Sequence, residues 1–432
     1  MSTIPGIDIE QRLPAGEARD RVSSTTKIKN WRVLHACEYA RHVLPVVEGQ
    51  VSAGMRPYIV TPYGAGAAEL YLSNQQPDQP ANLSLLRAWH DVRNWRKSLL
   101  ECDPENSADL VHAHSFAAGM AAVRGFSCVV YDVEACIEDW AIASGQCDHG
   151  SWMARSFRVA EQFIVSRAEA VVVNSVGMKS AVEERGAPSE AIFLVPEPVE
   201  FEPEIPNNNS FFSEDLKIPA DATVYFVPQF VHEKETTLSA PALVVLEAFA
   251  LLVAQVPKAK LLVGAPKSTL ALLSSHVERL GIREHVLAVE PGYFQEAMRN
   301  ADVVIAIEQV SADAVEVRQP NRICLDGLRL GKPLLAADVA RNREASADGR
   351  GCLWFNSDDA RDLSHRMAFL ESNPNFRLAL GASGKAAIVE ARNSAAVARK
   401  CDEAYRYAAL RKRARSSGPN ITTLRPVVSA NW

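Results

Sequence analysis

The chain has 432 residues, too many for one ordinary hydrophobic core, so length alone points to two or three domains. With 47% hydrophobic and 23% charged residues it has the composition of a globular protein in water, and no apolar run approaches the length of a membrane span. A net charge of −6 supplies no basic footprint, which excludes nucleic acid as an expected partner.

Residues 1–29 are polar and lack the apolar centre of a secretory leader, so they read as a disordered lead-in to a cytoplasmic protein. From Trp31 short apolar runs alternate with helical segments: WRVLHACEY, RPYIVTPYG, ADLVHAHS, FSCVVYDVE, AEAVVVNS and AIFLVPEPV. Runs this short and rich in Val and Ile, separated by crossover segments, predict parallel strands. Between the second and third, apolar residues at Leu86, Trp89, Val92 and Leu99 recur at helical spacing, with most of the charges elsewhere. Residues 30–200 thus form a first α/β domain. Residues 201–222 are rich in Pro, Asn and acid, without periodicity, and read as a linker.

The alternation restarts with TVYFVPQF, a helix over ALVVLEAFALLVAQV, and then AKLLVGAP, EHVLAVEPG, ADVVIAIEQ, KPLLAADV and GCLWFN as further strands. Helical segments follow from Asp358. The second domain spans 223–394, a terminal helix 395–415, and a disordered tail 416–432. Two such halves predict a ligand cleft between them, at the carboxyl ends of the strands. The eight cysteines are scattered without a C-x-x-C pair and read as buried reduced thiols. Cys136, Cys147 and His149 fit no standard zinc spacing.

In content and order, DLVHAHS, AEAVVVNSVGMKSAVEERGAPSEAIFLVPEPVE, LEAFALLVAQVPKAKLLVG and PNRICLDGLRLGKPLLAADVARNRE resemble the retaining glycosyltransferases of family 4. The resemblance covers most of Trp31 to Ala409. It implies the GT-B fold, two Rossmann-like domains facing a central cleft, with the donor nucleotide in the C-terminal domain and the acceptor in the N-terminal one. It also implies a hexosyltransferase-type activity that moves a sugar, with retention, from a nucleotide-sugar donor to a saccharide or lipid-linked acceptor, as in bacterial polysaccharide or glycoconjugate synthesis. No metal and no cofactor are expected, because protein charges and backbone amides take their place.

Counted back from Gly331-Lys332-Pro333, the family's ribose-binding carboxylate falls on Asp326, which can accept hydrogen bonds from vicinal hydroxyls. Its acidic companion should fall near Arg318, which is not acidic; Glu316 serves only with a shift of register. His232 and Lys234 stand where the family has a basic pair for the diphosphate, whose developing negative charge needs donors. Gly264 marks a strand-to-helix turn for the base, and Arg343 lies in a loop where a helix start binds anions.

The N-terminal half departs most from the pattern. The glycine-rich loop expected after the first strand is replaced by Arg41-His42-Val43-Leu44-Pro45, and Gly49 and Gly54 come too late to stand in for it. His112 and His114 match an H-A-H pattern and share one strand face, with His114 a candidate for the catalytic centre. Glu134 replaces the family's sugar-contacting histidine. These departures keep a second reading open: a catalytically weakened GT-B protein that binds a nucleotide sugar, glycan or partner enzyme without turnover. The basic run Arg411-Lys412-Arg413-Arg415 likewise has two readings, contact with anionic lipid at the inner face of a membrane, or a solvated helix end favoured by the macrodipole.

Overall fold

A computed structural model describes residues 30–37, 40–61, 85–105, 107–199, 216–228, 230, 237–307, 318–346 and 349–417. The chain divides into two compact units, one made of residues 1–197 and 394–432, the other of residues 198–393.

The first unit is built on a six-stranded parallel sheet of β1 (Arg32–Ala36), β2 (Arg56–Val60), β3 (Leu110–Ala113), β4 (Val129–Val133), β5 (Ala170–Val173) and β6 (Ile192–Leu194), in the order β2-β1-β3-β4-β5-β6. The chain leaves β1 in one direction and β3 in the other, so the topological switch point lies between the carboxyl ends of these two strands. Around the sheet run α1 (Ala40–Ser52), α2 (Leu85–Cys102), α3 (Phe116–Gly125), α4 (Ile137–Ala143), α5 (Trp152–Arg167) and α6 (Val176–Glu183). The serines that follow the strand runs cap the next helices: Ser115 Oγ accepts from the Ala118 amide and Ser175 Oγ from that of Met178. On α2, Val92, Trp95 and Leu99 are all buried. Trp95, outside the apolar set read from the sequence, belongs to the core.

The long helix of residues Ser394–Ser417, numbered α14 below, also belongs to this unit. Val397, Cys401, Ala404, Tyr405 and Ala408 pack with Val33, Leu110, Val130, Val172 and Phe193 on one face of the sheet. Gly49 sits where α1 meets this helix: a Cβ there would lie 2.5 Å from the Ser394 carbonyl oxygen. Its part is helix packing. Arg411 and Arg415 both reach Glu169, the first at its carbonyl oxygen (3.1 Å), the second at its carboxylate (2.7 Å). Two charges of the basic run are therefore held by the fold.

The second unit repeats the plan with β7 (Val224–Val227), β8 (Lys260–Gly264), β9 (Val286–Val289), β10 (Val303–Ala306), β11 (Leu334–Ala337) and β12 (Cys352–Phe355), parallel and ordered β12-β11-β10-β7-β8-β9. Its switch point falls between β7 and β10. The helices are α7 (Ala240–Val253), α8 (Leu270–Arg279), α9 (Phe294–Asn300), α10 (Arg322–Arg329), α11 (Ala340–Ala345), α12 (Ala360–Ser372) and α13 (Pro374–Arg392), followed by α14 in the first unit. Most of residues 201–222 lies outside the described residues. Among the described residues no disulfide forms, six of the eight cysteines are buried, and no helix is long and apolar enough to cross a membrane.

Two buried carboxyls tie the stability of the first unit to pH. Burial pushes Glu161 up to about 7, against the opposing pull of Arg185, and burial also pushes Asp402 of α14 up to about 7. Asp402 Oδ1 has no hydrogen-bond partner among the described residues. Unfolded, the two would titrate near ~3.9 and ~4.3. Between those values and about 7 the folded state holds more protons than the unfolded one, so stability falls as pH rises through this window. The urea midpoint of the first unit is expected to be higher near pH ~5 than near pH ~8, with Asp402→Asn flattening the slope. Equal midpoints at the two pH values would show that neither carboxyl is perturbed.

Candidate functional site

At the switch point of the first sheet, β1 and β3 bring three histidines together. His35 is the penultimate residue of β1 and pairs in register with His112 of β3, and His114 follows β3 directly. His35 and His112 are fully buried, and the His114 side chain is 8% exposed. The ring centroids of His112 and His114 are 4.0 Å apart, and both lie 5.4 Å from that of His35.

Each ring is held from outside the cluster. Gln50 Oε1 of α1 accepts from His35 Nε2 at 2.8 Å. Asp132 Oδ2 of β4 lies 3.0 Å from His114 Nδ1. The Tyr405 hydroxyl of α14, which accepts from Gln50 Nε2 at 2.9 Å, stands 2.8 Å from His112 Nδ1. The inner nitrogens face one another, with His35 Nδ1 and His114 Nε2 3.1 Å apart. His112 Nε2 is buried, 3.9 Å from Asp132 Oδ2, with no hydrogen-bond partner among the described residues.

The proton count follows from these contacts. His35 carries its proton on Nε2, so a neutral ring leaves Nδ1 as an acceptor, and His114 Nε2 has to donate to it. His114 Nδ1 and Asp132 then share one further proton. Burial pushes Asp132 up to about 7, and the nearby Glu197 adds to the shift. Burial and the neighbouring His114 push His35 down to about 3, although the hydrogen bond to Gln50 opposes this. Burial, then His114 and His35, hold His112 well below its ordinary value. The two fully buried rings are therefore neutral at physiological pH.

Glu134, one residue beyond β4, is exposed; the β4 carboxylate that joins the histidines is Asp132. His114 is in the cluster. His35, Asp132, Gln50 and Tyr405 were not marked by the sequence. His35 sits in an unremarkable apolar run, and only its place at a strand end beside the switch point sets it apart. β1 ends at Ala36 and α1 opens at Ala40, so a helix occupies the stretch where the glycine-rich loop was expected.

In the second unit, Asp326 lies on α10 with 15% of its side chain exposed. Its Oδ2 is 3.5 Å from Arg322 Nε and its Oδ1 3.8 Å from Arg329 Nε. The amino end of α10 is fixed by two asparagines. Asn321 caps the helix by accepting from the Ile323 amide, and its Nδ2 donates to Asn342 Oδ1 at 2.7 Å. Asn342 Nδ2 in turn donates to the carbonyls of Ala337 (2.8 Å) and Ala306 (3.4 Å), at the carboxyl ends of β11 and β10. This buried relay sets the position of α10 against both strands.

Gly264 ends β8, and its carbonyl accepts from the Phe230 amide just beyond β7. Arg343 is not brought to Asp326. It makes a two-pronged ion pair with Asp338 (2.5 and 2.8 Å) and lies over the Trp354 ring at 4.9 Å. His232, Lys234 and Glu316 lie outside the described residues; in sequence they follow β7 and β10, the strands that flank this sheet's switch point.

Residues 38–198 match the glycosyl transferase 4-like domain family. Among solved structures, HepE from Anabaena, in complex with UDP and glucose, is 15% identical with a TM-score of 0.55, covering 86% of this chain and 98% of that one. A glycosyltransferase from Rickettsia africae is 14% identical with a TM-score of 0.57, covering 88% and 98%. A search of curated protein sequences finds no significant match. These likenesses and the two parallel six-stranded sheets define the class: the chain has the GT-B fold of glycosyltransferases. The match over residues 38–198 agrees with the resemblance to family 4.

Proposed function

We propose that the protein transfers a sugar, with retention, from a nucleotide-sugar donor to a saccharide or lipid-linked acceptor. Its C-terminal domain holds the donor and its N-terminal domain the acceptor. The observation that carries this reading is the setting of Asp326: a largely buried carboxylate on a helix pinned by Asn321 and Asn342 to the ends of β10 and β11. A carboxylate so fixed suits a pair of ribose hydroxyls. Lys234 and His232 would face the diphosphate, with no metal ion needed there. HepE, of the same fold, binds UDP and glucose, which supports a nucleotide-sugar donor.

Calorimetry against a panel of nucleoside diphosphates tests the assignment. Asp326→Ala is expected to weaken binding of the best ligand by about 1–3 kcal/mol, the cost of losing charge-assisted hydrogen bonds. Lys234→Ala should weaken the diphosphate more than the nucleoside. Unchanged affinity in Asp326→Ala, with the fold intact, removes this residue from the site.

Two observations favour the rival reading of a binder without turnover. Arg318 stands where the second acidic residue of the donor site is expected, and a helix replaces the glycine loop after β1. Multiple-turnover, acceptor-dependent release of nucleoside diphosphate by the native protein decides for the enzyme. Nucleotide affinity without release over a broad acceptor panel decides for the binder.

A further inference from the structure

We infer that His35, His112 and His114 form a binding site for one divalent transition-metal ion, of the three-histidine kind that suits zinc, at the carboxyl edge of the N-terminal sheet. One ring nitrogen from each residue lies within 4.8 Å of the other two. A tetrahedral zinc ion with bonds of about 2.0–2.1 Å spaces its nitrogen ligands about 3.3 Å apart. His35 Nδ1 and His114 Nε2, 3.1 Å apart, already stand near that spacing. The third nitrogen is at most 4.8 Å from either, so it needs to move by no more than about 1.5 Å.

The outer contacts carry the argument further. A metal-bound imidazole usually gives its other N–H to a carbonyl, carboxylate or similar acceptor, which fixes ring orientation and tautomer. All three rings here are held in that way: His35 by the Gln50 amide oxygen, His114 by the Asp132 carboxylate and His112 by the Tyr405 hydroxyl. These partners come from α1, β4 and α14, so three separate elements fix the three rings around their remaining nitrogens.

Without a cation the arrangement is poorly satisfied. The 3.1 Å contact takes a single proton, donated by His114 Nε2 to His35 Nδ1, while His112 Nε2 is left buried with no hydrogen-bond partner among the described residues. A metal ion replaces that proton and engages the orphaned nitrogen. Three protein ligands leave a fourth position for water. The histidines are softer donors than oxygen, so zinc, cobalt or nickel is the chemical class, and magnesium or calcium is not. This inference does not depend on sugar transfer: all three histidines belong to the N-terminal unit, and none of them is among the residues assigned to the donor.

The test uses the full chain without an affinity tag, stripped with a chelator and titrated with cobalt(II), then with zinc. The expected result is saturable uptake of one cobalt per chain, with the intense visible absorption of a tetrahedral site. Zinc should displace it and raise the unfolding midpoint. His35→Gln and His112→Gln should each abolish that uptake, and Asp132→Asn should weaken it about 10–100-fold. If the buried histidine variants do not fold, Asp132→Asn and the native titration still decide. Absence of stoichiometric uptake by the native chain overturns the site. Equal uptake by folded histidine variants places the metal elsewhere and overturns it too.

Discussion

Replacing Arg185 with alanine is expected to destabilise the N-terminal domain by about 3–5 kcal/mol, the range for removing one partner of a buried ion pair. The Arg185 side chain is fully buried, just past α6. Its Nη2 lies 3.3 Å from both Glu138 and Asp139 at the start of α4, its Nε lies 2.8 Å from Glu161 on α5, and its Nη1 donates to the Ala181 carbonyl. The approach to Glu161 is an ion pair that falls off the line of a hydrogen bond. One guanidinium thus answers three carboxylates and ties three helices to the connection after β4. Glu161 also accepts from the Tyr131 hydroxyl and the Ile137 amide, so the tie reaches the strand that bears Asp132.

Without Arg185, Glu161 is left buried with no cation against it and has to hold its proton, and the cost of protonating it at neutral pH supplies most of the loss. Arg185→Met combined with Glu161→Gln should therefore recover more than half of the stability lost in Arg185→Met alone, by urea unfolding. A typical domain has about 5–15 kcal/mol in total, so the single variant should lie close to unfolding at body temperature. A loss below about 1 kcal/mol would mean that water reaches the cluster and that the pair is no more than a surface one.

Gly351→Ala should destabilise the C-terminal domain by about 3 kcal/mol, from two sources that add. Gly351 has a φ of +88°, a conformation that L side chains rarely adopt. A Cβ at this position would also lie 2.5 Å from the Gly384 Cα of α13 and 2.5 Å from a Leu328 methyl of α10. The first neighbour is backbone and cannot rotate away. The second belongs to the helix that carries Asp326, so the strain should pass to the proposed donor site. Nucleotide affinity is expected to fall along with the urea midpoint. Gly349→Ala provides the comparison: its φ of +82° is similar, but the nearest atom to its Cβ would be 3.5 Å away, so only the conformational cost remains. Equal losses in the two variants would refute the close contact as a source of destabilisation.

The fold was legible because parallel strands buried on both faces have little freedom in composition. Each of the twelve strands lies within an apolar run visible in the chain, and the serines after β3 and β5 are the caps that open the next helices. Of the residues the sequence marked, His114 lies in the histidine cluster and Asp326 on the helix pinned by Asn321 and Asn342. The sequence favoured Glu134, where the structure brings Asp132 into the cluster: the two stand two residues apart and would share a face, but β4 ends at Val133 and leaves Glu134 exposed beyond it, and pattern alone does not fix where the strand stops.

The sequence by itself determined the α/β alternation, the two repeats of that pattern and the likeness of residues 38–198 to the glycosyl transferase 4-like domain. It did so through local terms: apolar period, strand length and capping chemistry. Only the tertiary structure joined His35 to His114 across 79 residues and Gln50 to Tyr405 across 355. It likewise showed that Gly381 and Gly384, costly inside a helix, let α13 approach the turn after α10 and the loop before β12. Such contacts depend on which strand lies beside which and on how closely two backbones approach. Those are properties of packing, and the chain reveals them only when residues far apart in sequence share the same few ångströms.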